Sequence, residues 1–183
     1  KLFDQYATKG QKKVYNLIKP EELKQEDIKR PKLRLPEGFT TFQDSNPRFI
    51  PHIEAYRYLQ SRGITDEMIE RYKIGYTVSG DFAYRIIVPS FNQEGVLNYF
   101  VARAWVPKKM KYKNPSVPKD EIIFNESLID WDKDIYLCEG VFDSFFLTNS
   151  MVMLGKKMSK LLFETLYTKA NGQVIICCDG DAF

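Results

Sequence analysis

The sequence predicts an α/β protein, with a basic α+β subdomain ahead of a parallel α/β sheet. Three observations carry that expectation. Residues 53–72 place apolar side chains at helical spacing on both sides of Gly63, and residues 84–105 are rich in β-branched and aromatic residues around a glycine turn. From Asp134 onward, short continuous apolar runs alternate with helix-length amphipathic segments. Such a pattern marks a parallel sheet with helices over its faces.

Taken in order, residues 1–45 are polar and broken by Pro20, Pro31, Pro36 and "PEGF", which reads as a linker or surface arm with a short helix over 21–28. Residues 46–132 form the mixed subdomain. Within it, "IEAYRYLQSRGITDEMIERYKIGY" predicts a helical hairpin over 53–72. Thr65 caps the second helix and acids occupy its first turn. "YRIIVPSFNQEGVLNYFVARAW" predicts a β-hairpin turning at "NQEG". Residues 133–183 open the parallel sheet. Its strands are "DIYLCEG", "MVMLG" and "QVIICCDGD", and its helices "VFDSFFLTNS" and "SKLLFETLYTKANG", the latter stopped by Asn171–Gly172. The Phe-rich stretch 142–147 is expected to cover the sheet.

Composition excludes several classes. The chain is 44% hydrophobic and 28% charged, as soluble globular proteins are. It has no run of the ~18 apolar residues that a membrane helix needs, and no signal-peptide pattern. Cys138, Cys177 and Cys178 sit in apolar runs, which reads as reduced core cysteine in the cytoplasm. With one histidine, His52, read as a loop residue, and no CxxC pair, no zinc site is expected in this chain.

The net charge of +3 hides an uneven distribution. Residues 1–35 hold ten Lys/Arg against five Asp/Glu, and "VARAWVPKKMKYKNPSVPK" (101–119) holds six Lys/Arg and no acid. Local charge of this kind attracts phosphates. Aromatic residues interleaved with the cations suit single-stranded nucleic acid, although Trp105 and Tyr112 equally fit a core and "KKMKYK" an ordinary exposed loop.

Open parallel sheets bind ligands at the carboxyl ends of their strands. Glu139 follows the first strand, with Asp143 one helical turn beyond it, and Asp179 and Asp181 follow the third. If those strands are neighbours, four carboxylates converge, Gly140 and Gly180 leaving room for close approach. Such acids repel one another unless a cation sits among them, and hard oxygens suit Mg²⁺, with Mn²⁺ as a substitute. The chemistry implied is metal-dependent phosphoryl or nucleotidyl transfer. An Asp-Gly-Asp is also an ordinary turn, and Asp143 also favours a helix N-terminus; the residues themselves leave both readings open.

"YLCEGVFDSFFL" and "VIICCDGDAF" resemble the TOPRIM domain of primases, topoisomerases and some nucleases, which carries Glu-Gly at its first strand and DxD at its third. Upstream, "YLQSRGITDEMIERYKIGY", "YRIIVPSFNQEGVLNYFVARAW" and "KYKNPSVPKDEIIFN" resemble, in order, the catalytic core of bacterial-type (DnaG-like) DNA primases. The resemblance covers residues 53–183, and its looseness suits a viral member. It implies that Glu139, Asp143, Asp179 and Asp181 are the metal positions, with Glu139, Asp179 and Asp181 catalytic and Glu139 alternatively a general base. It implies that Arg62, Arg85 and Arg103 face the catalytic crevice, and that Lys111, Tyr112 and Asn114 form the "KYxN" motif contacting nucleotide and template. Glu126, in "FNES", departs from the family's usual lysine; Lys113 or Lys119 is the expected substitute.

The implied activity is synthesis of short RNA primers on a single-stranded DNA template from ribonucleoside triphosphates, leaving an RNA–DNA hybrid, with a replicative helicase as partner. The alternatives are a TOPRIM nuclease and a non-catalytic single-stranded-DNA-binding replication subunit. Because the chain begins at Lys1, an earlier segment is expected, and because a TOPRIM sheet continues after DxD, a further segment or second polypeptide is expected to complete it.

Overall fold

The computed structural model describes residues 32–177, of which all but Lys32 belong to the compact unit that begins at Leu33. The arm over 1–31 with its expected helix, and Cys178, Asp179, Gly180 and Asp181, lie outside the described residues.

The helical hairpin forms as its sequence predicts. Helix α1 (Ile50–Ser61) starts three residues earlier than Ile53, with Pro51 in its first turn, where a missing N–H loses no hydrogen bond. Gly63 reverses the chain at φ +75°, a conformation that strains residues with a Cβ. Helix α2 (Asp66–Arg71) begins where the Thr65 hydroxyl accepts the Met68 N–H at 3.3 Å. It ends in a Schellman turn: Ile74 N–H donates to Ile69 O at 2.9 Å and Lys73 N–H to Glu70 O at 3.0 Å.

An antiparallel sheet follows in the order β1 (Thr40–Thr41), β2 (Gly75–Thr77), β3 (Arg85–Phe91), β4 (Leu97–Ala104). The β3–β4 hairpin closes through Asn92, whose carbonyl accepts Gly95 N–H and whose side chain accepts Val96 N–H. Both faces of these two strands are covered. Ile86, Val88, Tyr99 and Val101 join Ala55, Leu59 and Ile69 of the helices in one core, while Ile87, Phe100 and Ala102 pack under Leu33, Leu35 and Phe39. Residues 33–45, grouped with the polar arm in the sequence reading, thus supply β1 and a lid of apolar side chains. The lid side chains are themselves only partly buried, whereas a fully buried side chain beneath them such as Ile87 contributes about 1.5–3 kcal/mol.

The parallel sheet has the order β6 (Ser150–Val152), β5 (Ile135–Cys138), β7 (Val174–Cys177). Both pairings are parallel, so the first and third predicted strands are neighbours, with Cys138 opposite Cys177. Ile135 and Leu137 pack with Leu162 and Leu166 of helix α4 (Lys160–Lys169), which Ser159 caps. On the other face Cys138 joins Val141, Phe142 and Phe145 in the larger core.

The helix expected from 141 onward is shorter than its composition suggests: α3 spans only Val141–Ser144. The chain then tightens, with Phe146 N–H and Leu147 N–H bonded to carbonyls three residues back. Asn149 reverses it at φ +49° and ties its amide to the carbonyls of Asp130 and Asp134. Phe142 and Phe145 are buried as expected, whereas Phe146 is exposed.

Candidate active site

Strand β5 delivers Glu139 at its carboxyl end, half-buried, and Gly140 immediately caps α3. Asp143 in the first turn of α3 is exposed and folds back over Gly140; a Cβ there would collide with its carboxylate. The glycine between the two acids therefore lets the Asp143 carboxylate keep this seat, which a Cβ would make it leave. Cys138, fully buried, places its thiol against the carbonyls of Met151 (3.4 Å) and Gly140 (3.5 Å), packed in the core as expected.

No group of three or more His, Cys, Asp or Glu converges among the described residues. Two of the four predicted carboxylates, Glu139 and Asp143, flank Gly140 there; Asp179 and Asp181 follow β7 in the sequence, outside the described residues. A half-buried and an exposed carboxylate on either side of Gly140 fit Mg²⁺, which takes few carboxylates and keeps room for waters and phosphates.

The cations come from three elements. Arg103 on β4 is 5% exposed and has no acidic partner among the described residues. Its guanidinium donates to the hydroxyls of Tyr58 and Tyr112 and stands over three rings: Phe142 at 4.8 Å, Tyr112 at 5.0 Å and Tyr58 at 5.9 Å. Arg62, exposed just past α1, lies 5.5 Å over the same Phe142 ring. Phe142 precedes Asp143 in the chain. The acidic turn and two of the predicted cations therefore meet on one aromatic side chain.

Arg85 is placed differently from the sequence expectation. Buried in β3, it gives one N–H to Met110 O at 2.8 Å and another to Lys111 O at 3.1 Å, and burial lowers its pKa. It supports the basic loop from beneath and offers no open face to a ligand. Asn114 likewise turns inward, its side-chain oxygen accepting Ala102 N–H at 3.3 Å. Between these anchors, Arg103 and Tyr112 form an isolated antiparallel bridge, and Lys109, Met110 and Lys111 project outward. Burial raises the Tyr112 pKa, an effect that Arg103 opposes, and the residue keeps 41% of its surface exposed.

The substitutes proposed for the missing lysine are both engaged: Lys113 with Asp81 (3.7 Å) and Lys119 with Leu154 O (3.2 Å). Glu126 itself pairs with Lys169 in the last turn of α4 at 2.7 Å. Sequence reasoning missed Tyr58 and gave Phe142 only a packing role. A tyrosine one helical turn before Arg62, and an aromatic next to a candidate acid, were the available signals.

No family model matches the chain, and no curated protein does. Its fold is that of primase catalytic cores. Against the E. coli primase catalytic core the TM-score is 0.61 at 20% identity, covering 74% of this chain and 58% of that one. Against a DnaG primase catalytic domain bound to single-stranded DNA it is 0.60, at 20% identity with the same coverages, 74% and 58%. The RNA polymerase domain of Mycobacterium tuberculosis DnaG, in complex with double-stranded DNA, gives 0.62 at 17% identity over 77% of this chain and 61% of that one. The chain thus spans less than two thirds of each of these solved chains.

Proposed function

We propose that this chain forms part of the catalytic core of a DNA primase, which joins ribonucleotides into short RNA primers on single-stranded DNA. The observation that carries the proposal is the convergence on Phe142: Arg62 and Arg103 stand on its ring, and Asp143 follows it at the mouth of β5. Cations beside carboxylates at strand tips are what a triphosphate and its metal require. The primase fold supports the same reading.

In this proposal Glu139 and Asp143, with Asp179 and Asp181, hold Mg²⁺, Mn²⁺ serving in its place. The ion would lower the pKa of the attacking 3′-hydroxyl and neutralise charge on the α-phosphate and departing pyrophosphate. The chain's own residues position the reactants, which supplies much of the acceleration in phosphoryl transfer. Arg103, 5% exposed and satisfied only by neutral hydroxyls, holds Tyr58, Tyr112 and Phe142 in place and adds positive potential behind them, while the exposed Arg62 on the same ring is the guanidinium that meets a phosphate oxygen. Lys109 and Lys111 follow the template backbone, and the open face of Tyr112 stacks on a base. An RNA–DNA hybrid is the product, and a replicative helicase the partner that delivers the template.

The test is ribonucleotide incorporation on a single-stranded template by the complete protein with Mg²⁺. Glu139→Gln and Asp179→Asn are expected to lower incorporation at least a hundredfold while template binding persists. Undiminished incorporation rejects the metal role. DNA cleavage without nucleotides would identify a nuclease, and binding without incorporation a non-catalytic subunit.

A further inference from the structure

A second cleft, of about 300 Å³, opens where the end of α2 meets the β3–β4 turn and the segment after Phe124; Arg71, Lys73, Phe91, Asn125 and Ser127 line it. No acidic residue lines it, and among the described residues neither Arg71 nor Lys73 forms an ion pair. Each cation rests instead on a ring, Arg71 5.6 Å over Tyr72 and Lys73 4.9 Å over Phe91. Two positive charges without a counter-charge at one concavity leave an anion as the missing element.

The backbone adds a second observation. Lys73 closes the Schellman turn of α2 at φ +50°, a position where glycine is the unstrained choice. Asn125, across the cleft, is also left-handed at φ +51°. Asparagine adopts this conformation readily, whereas a lysine in it is strained, and strained non-glycine residues collect at functional sites. Asn125 is 5% exposed; its side-chain oxygen accepts Phe91 N–H at 3.3 Å, while its amide nitrogen has no acceptor among the described residues. A buried donor of this kind is uncommon.

We propose that this cleft binds a small phosphorylated ligand, its phosphate seated between Arg71 and Lys73 with Ser127 as an added donor. The cleft lies at the β3–β4 turn, whereas Arg103 pairs near the opposite end of that hairpin, so the site is separate from the proposed catalytic one.

The complete protein is titrated with inorganic pyrophosphate, followed by calorimetry and by amide NMR shifts. Arg71→Ala and Lys73→Gly are each expected to weaken binding at least tenfold. Lys73→Gly relieves a strained position, so its Tm should be unchanged or raised, which separates lost binding from lost folding. Lys109→Ala/Lys111→Ala should leave this binding intact even if the catalytic reading fails. No saturable binding, binding indifferent to Arg71 and Lys73, or a cleft that responds only to a single-stranded oligonucleotide would each overturn the proposal.

Discussion

Replacing Glu126 with lysine inverts one ion pair. In the present structure Glu126 Oε1 lies 2.7 Å from Lys169 Nζ, with the two side chains 14% and 38% exposed. Lys169 also donates to Gln93 at 3.0 Å and stands 5.2 Å over the Trp131 ring, so it is held from three sides. Breaking a pair of this intermediate burial costs about 1–2 kcal/mol, between the ~0.2–1 of exposed pairs and the ~3–5 of buried ones. Two ammonium groups at ~4 Å would repel by about 4 kcal/mol at an effective dielectric of ~20, and most of that is relieved as both flexible chains turn outward. A net loss of about 2–4 kcal/mol follows. For a domain of this size that lowers Tm by roughly 5–12 °C.

The assay is thermal unfolding of Glu126→Lys, Lys169→Glu and the double swap. The swap should regain at least half of the summed losses of the two single changes. If Glu126→Lys is as stable as the parent, or the swap is no better than the sum, the ion pair does not hold these segments together. The same variant speaks to function. Lys169 sits in the turn leading to Asn171 and Gln173, which bond to Trp131 and Asp134 at the start of β5, the end of the strand away from Glu139. A lysine at 126 should therefore leave the KM for ribonucleoside triphosphates unchanged.

Gly140→Ala should displace the Asp143 carboxylate from its seat with a stability change under about 1 kcal/mol, and weaken Mn²⁺ binding by about tenfold, read by electron paramagnetic resonance on the complete protein. Unchanged affinity would separate that seat from metal binding. Lys109→Ala/Lys111→Ala should reduce the slope of log affinity against log salt for single-stranded DNA by about 1.4, since each lost phosphate contact removes ~0.7. An unaltered slope would take the loop off the template path. Burial lowers the His52 pKa below its ordinary 6.5, so the unfolded chain binds the proton more readily. Stability should then fall as pH drops below about 6.5, and His52→Gln should flatten that decline in a Tm-against-pH series.

What the sequence made legible was local. The Thr65 cap, the Gly63 reversal and the Asn92–Gly95 turn are written in consecutive residues, and each appears where expected. Strands β1 and β2 have two and three residues, too few for a period, and exist through pairing across the chain. Buried on both faces, β3 does not alternate polar with apolar residues, and it takes Arg85 and Ser90 inward with Ile86, Ile87 and Val88. At the candidate site, residue types were visible but directions were not. Arg85 and Lys111 are both basic, yet burial in a covered strand commits the first to carbonyls and exposure on a loop frees the second. The Glu126–Lys169 pair joins residues 43 positions apart, beyond any local pattern.

The anchoring of the basic loop by Arg85 separates two jobs that a short segment usually has to combine. Its course is dictated by a guanidinium rooted in the sheet, which grips main-chain oxygens at Met110 and Lys111 and is indifferent to the side chains above them. Substitutions at the crest can therefore retune its charge or bulk without redrawing the path of the chain, while a change at Arg85 would remove the grip on Met110 and Lys111 and leave the crest tied through the Arg103–Tyr112 bridge and Asn114.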